Sequence, residues 1–170
     1  KKRIHKGECI MFNNRNFYPT PEKLIDRMLS DIDFKMVHTI LEPSAGKGNI
    51  VDKLMKIQER KNRWYETYNF NIDCIELDEN LIHILKGKNY RVVYNDFLTY
   101  STMKEYDLIV MNPPFENGVK HLLKALEMQS RNGGSIICLL NAETIKNQCT
   151  NERITLNRIL QDNNAKIEFI

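Results

Sequence analysis

The sequence has no hydrophobic run long enough to cross a membrane, no internal repeat and no low-complexity tract. A membrane span needs about 20 consecutive apolar residues, so no span is predicted here. The four cysteines, Cys9, Cys74, Cys138 and Cys149, form no Cys-x-x-Cys pair, which argues against a zinc site or a disulfide framework. Cys74 and Cys138 lie in apolar runs, so we expect reduced core thiols and a cytoplasmic setting.

Charge is moderate in amount and uneven in position. The 170 residues carry a net charge of +3, and residues 1–30 hold seven basic against three acidic side chains, or +4. A basic arm of this kind can meet nucleic-acid phosphate, and a solvated basic terminus explains it equally well. Because the chain starts with Lys and ends inside the strand-like run AKIEFI, we expect a trimmed piece.

Short apolar runs alternate with helical patterns, as in parallel α/β sheets. Helices are predicted where Thr20 can cap TPEKLIDRMLSDI with Pro21 at its first position, and where Asp78 can cap ENLIHILKG. Three more helices are predicted at GNIVDKLMKIQ, VKHLLKALEM and ERITLNRILQ. Strands are predicted at HTILEP, NIDCIEL, YRVVYND, YDLIVMN and GSIICLLN, and a truncated sixth at AKIEFI. We expect a doubly wound sheet of order 3-2-1-4-5, with the sixth strand beyond strand five.

Ligands of such sheets bind at the carboxyl ends of the strands, and unusual residues follow several strands here. After the first strand, Gly46 and Gly48 in EPSAGKG allow a tight turn and close approach of a ligand. The loop is no phosphate-binding P-loop, because Leu41 and Gly48 stand where that motif needs Gly and Ser or Thr. A lone Gly-x-Gly is equally consistent with a structural turn.

Acidic residues follow the second and third strands. Glu76 stands where dinucleotide folds bind ribose hydroxyls, although it also suits a surface carboxylate at a strand end. Asp96 beside Phe97 suits the exocyclic amine and the face of an adenine. The alternative for Asp96 is an Asx turn, a common use of Asp after a strand.

The fourth strand runs into Asn112-Pro113-Pro114-Phe115. Pro113 has no N–H, so it offers a rigidly held carbonyl acceptor, and Asn112 adds an amide oxygen. Two fixed acceptors suit the two hydrogens of a planar amino group, and Phe115 offers a stacking face. The alternative is a purely structural Pro-Pro turn.

Taken together, these residues resemble the class I S-adenosylmethionine-dependent methyltransferases, and within them the N-6 adenine-specific DNA methyltransferases of restriction–modification systems and phages. The NPPF motif after DLIVM, the loop ILEPSAGKGNIV and the segment FYPTP carry the resemblance. It runs from about Phe17 to Ile170. The order, with the cofactor loop ahead of NPPF, is that of the gamma-type arrangement, in which a target-recognition region follows; none lies within these residues.

The resemblance implies a Rossmann-like α/β domain of the class I methyltransferase type over residues 1–170. Residues 1–16 would be a basic arm, 17–34 a segment and helix that close over the cofactor, and 35–170 the α/β core. It also implies DNA with a flipped adenine as substrate, a possible specificity domain or subunit as partner, S-adenosylhomocysteine as product, and neither metal nor membrane. Alternative substrates that share this chemistry are guanine in RNA and glutamine in protein. A further alternative is a non-catalytic cofactor-binding subunit that needs a partner for DNA.

Site residues follow from the same resemblance. Around the methionine end of the cofactor it places Tyr18, Thr20, Glu42 and Gly46, and it gives Ser44, Ala45 and Gly48 as further cofactor-binding residues. Glu76 would hold the ribose, with Leu77, Asp96 and Phe97 at the cofactor adenine. Asn112, which also borders the cofactor, and the Pro113 carbonyl would bind the target amine, with Pro114 and Phe115 completing the catalytic corner.

Overall fold

In the computed structural model, residues 19–59 and 68–169 are described, and they contain a five-stranded sheet. The strands are β1 (Thr39–Glu42), β2 (Asn71–Ile75), β3 (Arg91–Tyr94), β4 (Leu108–Met111) and β5 (Ser135–Cys138). Their order is β3-β2-β1-β4-β5 and every pairing is parallel. The predicted α/β class and strand order are therefore confirmed.

Helices cover both faces of this sheet. They are α1 (Glu22–Leu29), α2 (Asn49–Glu59), α3 (Glu79–Gly87), α4 (Gly118–Asn132), α5 (Ala142–Lys146) and α6 (Asn151–Asp162). The short helix α5 was not predicted. Asp78 caps α3 as predicted, since its carboxylate accepts hydrogen bonds from Asn80 N at 2.8 Å and Leu81 N at 3.2 Å. Among the described residues, no helix is both long and apolar enough to cross a membrane.

Alternate residues of the central strands pack into two separate cores, because successive side chains of a strand point to opposite faces of the sheet. Ile40 and Leu108 pack with Leu54 of α2 on one face. Leu41 and Ile109 pack with α4 and α6 on the other face. The predicted inward face of α4 lies in this second core, with Leu122 buried and Val119, Leu123 and Leu126 packed against it. Burial on both faces explains why the middle strands are continuously apolar.

The start of α1 differs from the prediction. Pro21, not Thr20, is the N-cap residue, and no side chain caps the helix there. The carbonyl of Pro21 accepts the first helical hydrogen bonds, from the N–H groups of Leu24 and Ile25 at 3.0 Å each. The Thr20 hydroxyl is engaged elsewhere, by the side chain of Asn112, so it is not available as a cap.

The predicted sixth strand is wrong for the residues described: 165–169 contain no strand. A strand needs a paired neighbour, and this segment instead contacts α1 through side chains. Glu168 pairs with Arg27, and Lys166 lies 2.6 Å from Asp31. Its apolar residues stay about half exposed, with Phe169 56% accessible, so they gain only part of the burial that would favour a strand.

A carboxylate joins the amino ends of β1 and β4. Asp107 Oδ2 accepts hydrogen bonds from His38 N, Thr39 N and Thr39 Oγ1 at 2.8 to 2.9 Å. The backbone N–H of Asp107 donates to Thr39 O at 3.0 Å. These contacts fix the two strands side by side, and thereby place the loops at their carboxyl ends against one another.

Candidate active site

One open cavity lies at the carboxyl edge of the sheet, as the parallel topology predicts. The ends of β1, β2, β3 and β4 contribute to its wall, with the residues before α1 and the first turn of α4. It brings together most of the site residues predicted from the sequence: Thr20, Glu42, Ser44, Ala45, Gly46, Glu76, Leu77, Asp96, Phe97, Asn112, Pro113, Pro114 and Phe115.

Two predicted residues remain, Tyr18 and Gly48. Tyr18 and the basic arm lie outside the described residues. Gly48 lies behind the wall, at φ +83°, where a Cβ atom would stand 3.0 Å from both Leu85 and Tyr90. Its lack of a side chain therefore allows α2 to begin close against α3, and its contact with the cofactor stays a prediction.

Glu42 is an unusual buried acid. It is 2% exposed at the end of β1, and among the described residues neither its Oε2 nor the nearby Ser44 Oγ has a hydrogen-bond partner. Burial, reinforced by the charge of Glu76, raises the pKa of Glu42 well above its ordinary value. A buried carboxyl with an unpaired oxygen is costly, and a cationic ligand in the cavity would satisfy it.

Glu76 ties the loop after β1 to the end of β2. Its Oε2 accepts from Gly46 N at 2.7 Å and its Oε1 from Asp78 N at 2.9 Å. Behind them, Ala45 N donates to Ile75 O at 3.0 Å. Each carboxylate oxygen keeps a further lone pair, so Glu76 can position the loop and still accept hydrogen bonds from ligand hydroxyls.

The residues after β3 form the far wall of the cavity. Asp96 Oδ1 accepts a hydrogen bond from Leu98 N at 2.9 Å, so the Asx turn given as the alternative for Asp96 does form. Asp96 also lines the cavity. Phe97 is 2% exposed, and its ring lies 5.5 Å from that of His121. The Phe97 ring is therefore held in place before any ligand enters.

The Asn112–Phe115 corner stands at the mouth of the same cavity. β4 ends at Met111, and the chain then turns through the two prolines into a short 3-10 turn, Phe115–Asn117. Pro113 is buried whereas Phe115 is 48% exposed. Asn112 Nδ2 donates a hydrogen bond to Thr20 Oγ1 at 3.0 Å. An amide, a proline carbonyl and an exposed aromatic ring thus belong to residues that line the same cavity as Glu42 and Glu76.

Sequence reasoning missed several residues that line the cavity, and Asn49 and His121 are two of them. Asn49 begins α2 and donates from Nδ2 to Thr20 O at 3.3 Å. His121 Nδ1 lies 3.0 Å from Asn117 O, which makes Nδ1 the donor and Nε2 the acceptor of a neutral ring. Burial lowers the pKa of His121, which favours that neutral form. The sequence signal that could have identified His121 is a polar residue beside the apolar face of α4.

Within residues 19–59 and 68–169, no three His, Cys, Asp or Glu side chains come together in a way that could hold a metal ion. The polar side chains of the cavity are carboxylates, amides, two hydroxyls, the Lys47 ammonium group and the His121 ring. They suit an organic ligand that carries a cation, hydroxyls and a planar ring.

Comparison of sequences finds related methyltransferases. A Type II methyltransferase, M.CvrRI, of Paramecium bursaria Chlorella virus XZ-6E is 28% identical over 125 residues, which cover 71% of this chain and 30% of the relative. The mitochondrial ribosomal RNA small subunit methyltransferase of Arabidopsis thaliana is 23% identical over 122 residues, 68% of this chain and 29% of the relative. The match thus spans about 30% of the length of each of these relatives.

Solved structures share the fold. The type I restriction-modification system methyltransferase subunit from Streptococcus thermophilus aligns with a TM-score of 0.62 at 14% identity, over 85% of this chain and 38% of that one. A dimethyladenosine transferase from Plasmodium falciparum aligns with a TM-score of 0.57 at 16% identity, over 78% and 46% of the two chains. The family described as the methyltransferase small domain matches residues 12–164. The chain therefore belongs to the methyltransferase small domain family, among the class I S-adenosylmethionine-dependent methyltransferases.

Proposed function

We propose that the protein transfers a methyl group from S-adenosylmethionine to the exocyclic amino group, N-6, of adenine in DNA. The observation that carries the proposal is the Asn112–Phe115 corner, which opens into the same cavity as Glu42 and Glu76. One end of the cavity then suits a cationic, hydroxylated cofactor, and its mouth suits a planar amine.

The cavity residues fit this cofactor. Glu42 Oε2, buried and unpaired among the described residues, suits the ammonium group of the methionine end, and Ser44 Oγ suits its carboxylate. Glu76 suits the ribose hydroxyls, whereas Asp96 and the fixed Phe97 ring suit the adenine. Bound there, S-adenosylmethionine supplies an electrophilic methyl group on a positively charged sulfur.

The chain's own contribution at the mouth is orientation and hydrogen-bond acceptance. The exocyclic nitrogen of adenine is a poor nucleophile, because its lone pair is delocalised into the ring. Asn112 Oδ1 and the Pro113 carbonyl would accept its two N–H groups, which returns electron density to nitrogen and aims it at the methyl group. The target base cannot be reached inside a duplex, so it must flip out and stack on exposed Phe115.

DNA as the substrate draws its support from the relatives. The Chlorella virus relative is a type II methyltransferase, and the Streptococcus neighbour is a subunit of a type I restriction-modification system. We infer a similar setting for this protein, in a restriction–modification, phage or other mobile-element system. DNA sequence selection would then depend on a further domain or a specificity subunit.

RNA is the second candidate substrate, and the Arabidopsis relative, a ribosomal RNA methyltransferase, favours it. The acceptor corner serves an adenine amine equally well in either nucleic acid. Discrimination between DNA and RNA would depend on how the polynucleotide is bound outside the cavity.

Transfer of labelled methyl from S-adenosylmethionine separates these possibilities. The protein as its gene encodes it is incubated with duplex DNA, with ribosomal RNA and with a protein mixture, and nucleosides are identified by mass spectrometry after digestion. We expect N6-methyladenine in DNA, and none when the DNA carries 2-aminopurine in place of adenine. Label in RNA alone would move the substrate to RNA, and cofactor binding without any transfer would indicate a non-catalytic binding subunit.

Removal of the Glu76 carboxylate should weaken the cofactor complex. We expect Glu76→Ala to cost about 1–3 kcal/mol of binding free energy, or roughly 5–150-fold in Kd, because ribose hydroxyls would lose a partly buried acceptor. Calorimetric titration with S-adenosylhomocysteine measures this, with exposed Glu79→Ala as the matched control. An unchanged Kd for Glu76→Ala would remove Glu76 from the cofactor site.

A further inference from the structure

Thr20 links the residues before α1 to two other walls of the cavity. Its hydroxyl oxygen accepts the Asn112 Nδ2 hydrogen bond at 3.0 Å, and its carbonyl accepts from Asn49 Nδ2 at 3.3 Å. Thr20 is 7% exposed. A chain of hydrogen bonds therefore joins Asn49 at the start of α2, Thr20 before α1 and Asn112 after β4.

The backbone around Thr20 is restricted before any contact forms. Pro19 and Pro21 flank it, and a residue that precedes proline is held in the extended region. Neither proline has an N–H, so the Thr20 hydroxyl has few local partners. Asn49 then anchors the Thr20 carbonyl, and the side chain meets Asn112 across 92 positions of sequence.

The orientation of the Asn112 amide matters for methyl transfer. The amide is planar and nearly symmetric in shape, and only its hydrogen-bond partners decide which side carries oxygen and which carries nitrogen. With Nδ2 directed at Thr20, the oxygen lies on the opposite side of the amide. The reversed amide would present N–H donors to a target amine, which needs acceptors.

We propose that Thr20 is a positioning residue for methyl transfer, whose hydroxyl accepts from Asn112 Nδ2 and so holds the Asn112 side chain in place at the corner that receives the target amine. This role rests on the proposed function and refines the assignment of Thr20 made from the sequence, which placed it beside the methionine end of the cofactor. Thr20 acts on the target amine through Asn112, and Asn49 links Thr20 to the start of α2.

Thr20→Val and Thr20→Ser test the proposal in the protein as its gene encodes it. Valine keeps the shape of the side chain and lacks the acceptor oxygen, so we expect kcat to fall about 10- to 100-fold through misalignment of the reacting nitrogen. The Kd for S-adenosylhomocysteine should stay within about twofold, since the hydrogen bond that valine removes is the one with Asn112. Thr20→Ser retains the hydroxyl and should recover most of the lost kcat.

Thr144→Val is the matched control, because Thr144 is buried on α5 and does not line the cavity. It should leave kcat unchanged. A Thr20→Val variant with normal kcat and a tenfold weaker Kd would make Thr20 a cofactor contact and overturn the proposal. Equal losses in the Val and Ser variants would overturn it as well.

Nuclear magnetic resonance gives a test that does not need activity. The side-chain N–H resonances of Asn112 should shift in Thr20→Val and stay near their wild-type positions in Thr20→Ser. Unchanged resonances in Thr20→Val would overturn the contact itself. Absence of methyl transfer by the wild-type protein, with the expected resonance shifts, would instead refute the proposed function and leave Thr20 as the residue that orients Asn112.

Discussion

Replacement of Asn112 by alanine is expected to lower the rate of methyl transfer about 10²–10³-fold or more, by analogy with loss of one preorganised partner from an oxyanion site. One N–H of the target amine would lose its acceptor, so the nitrogen lone pair would stay conjugated with the ring. Cofactor affinity should change little, because Glu42 and Glu76, on β1 and after β2, carry the groups that suit the cofactor. Single-turnover kinetics and calorimetry measure the two quantities separately.

Asn151→Ala is a suitable control for this experiment, because Asn151 is exposed at the start of α6 and outside the cavity wall. A near-wild-type rate for Asn112→Ala would make the Asn-Pro-Pro-Phe corner a structural turn. Loss of cofactor binding by the same variant would assign Asn112 to the cofactor pocket and refute the division of roles between the two ends of the cavity.

Glu42→Gln is expected to weaken binding of S-adenosylhomocysteine by about 2–5 kcal/mol, the range for removal of one partner from a buried charge pair. The glutamine amide keeps the size of the side chain and an acceptor for the Val51 N–H, which contacts Glu42 in the wild type. It lacks the negative charge that suits the ammonium group. Exposed Glu105→Gln should bind as the wild type does. Equal affinities for Glu42→Gln and wild type would show that the ammonium binds elsewhere.

Cofactor affinity should also depend on pH. In the free protein, burial raises the pKa of Glu42 well above its ordinary value of 4.5, whereas a bound cation favours the ionised form and lowers it again. Binding therefore releases a proton between these two pKa values, and affinity rises with pH across that window before reaching a plateau. Calorimetry in buffers of different ionisation enthalpy measures the release, which Glu42→Gln should abolish.

The same residue should limit the stability of the free protein. A carboxyl whose pKa is raised on folding contributes most below its unfolded value, and that contribution is lost as pH rises through the raised pKa. Glutamine does not titrate, so Glu42→Gln should melt at a higher temperature than the wild type at alkaline pH. Stabilised folding together with weakened cofactor binding is the pattern expected of a functional residue kept at the expense of stability.

The elements that the sequence predicted correctly are those with strong local signals. Leu108 to Met111 are buried on both faces, and such runs can be recognised without knowledge of their neighbours. Asp78 caps α3 through residues two and three positions away, which is also a local effect. Since parallel strands bring their carboxyl ends to one edge, the positions of Glu42, Glu76 and Asn112 at one cavity followed from the strand order.

Errors arose where a distant partner decides the outcome. Thr20 has the local features of a helix cap, but Asn112, 92 residues away, engages its hydroxyl. Residues 165–169 have strand-like alternation, yet Arg27 and Asp31 of α1 pair with this segment through its charged side chains. His121 and Asn49 join the cavity only through packing of α4 and α2, and neither belongs to a motif that a single sequence reveals.

The pairing of β1 with both β2 and β4 has a consequence for synthesis of the chain. The carboxylate of Asp107 binds Thr39, although the two residues are 68 positions apart in the sequence. At about 5–20 residues per second, a ribosome needs roughly 3–14 s to cover that separation. Throughout this interval the β1 edge that later receives β4 has no native partner, and nascent-chain binding by chaperones would be most useful then. β1 thus stays half-paired until β4 emerges.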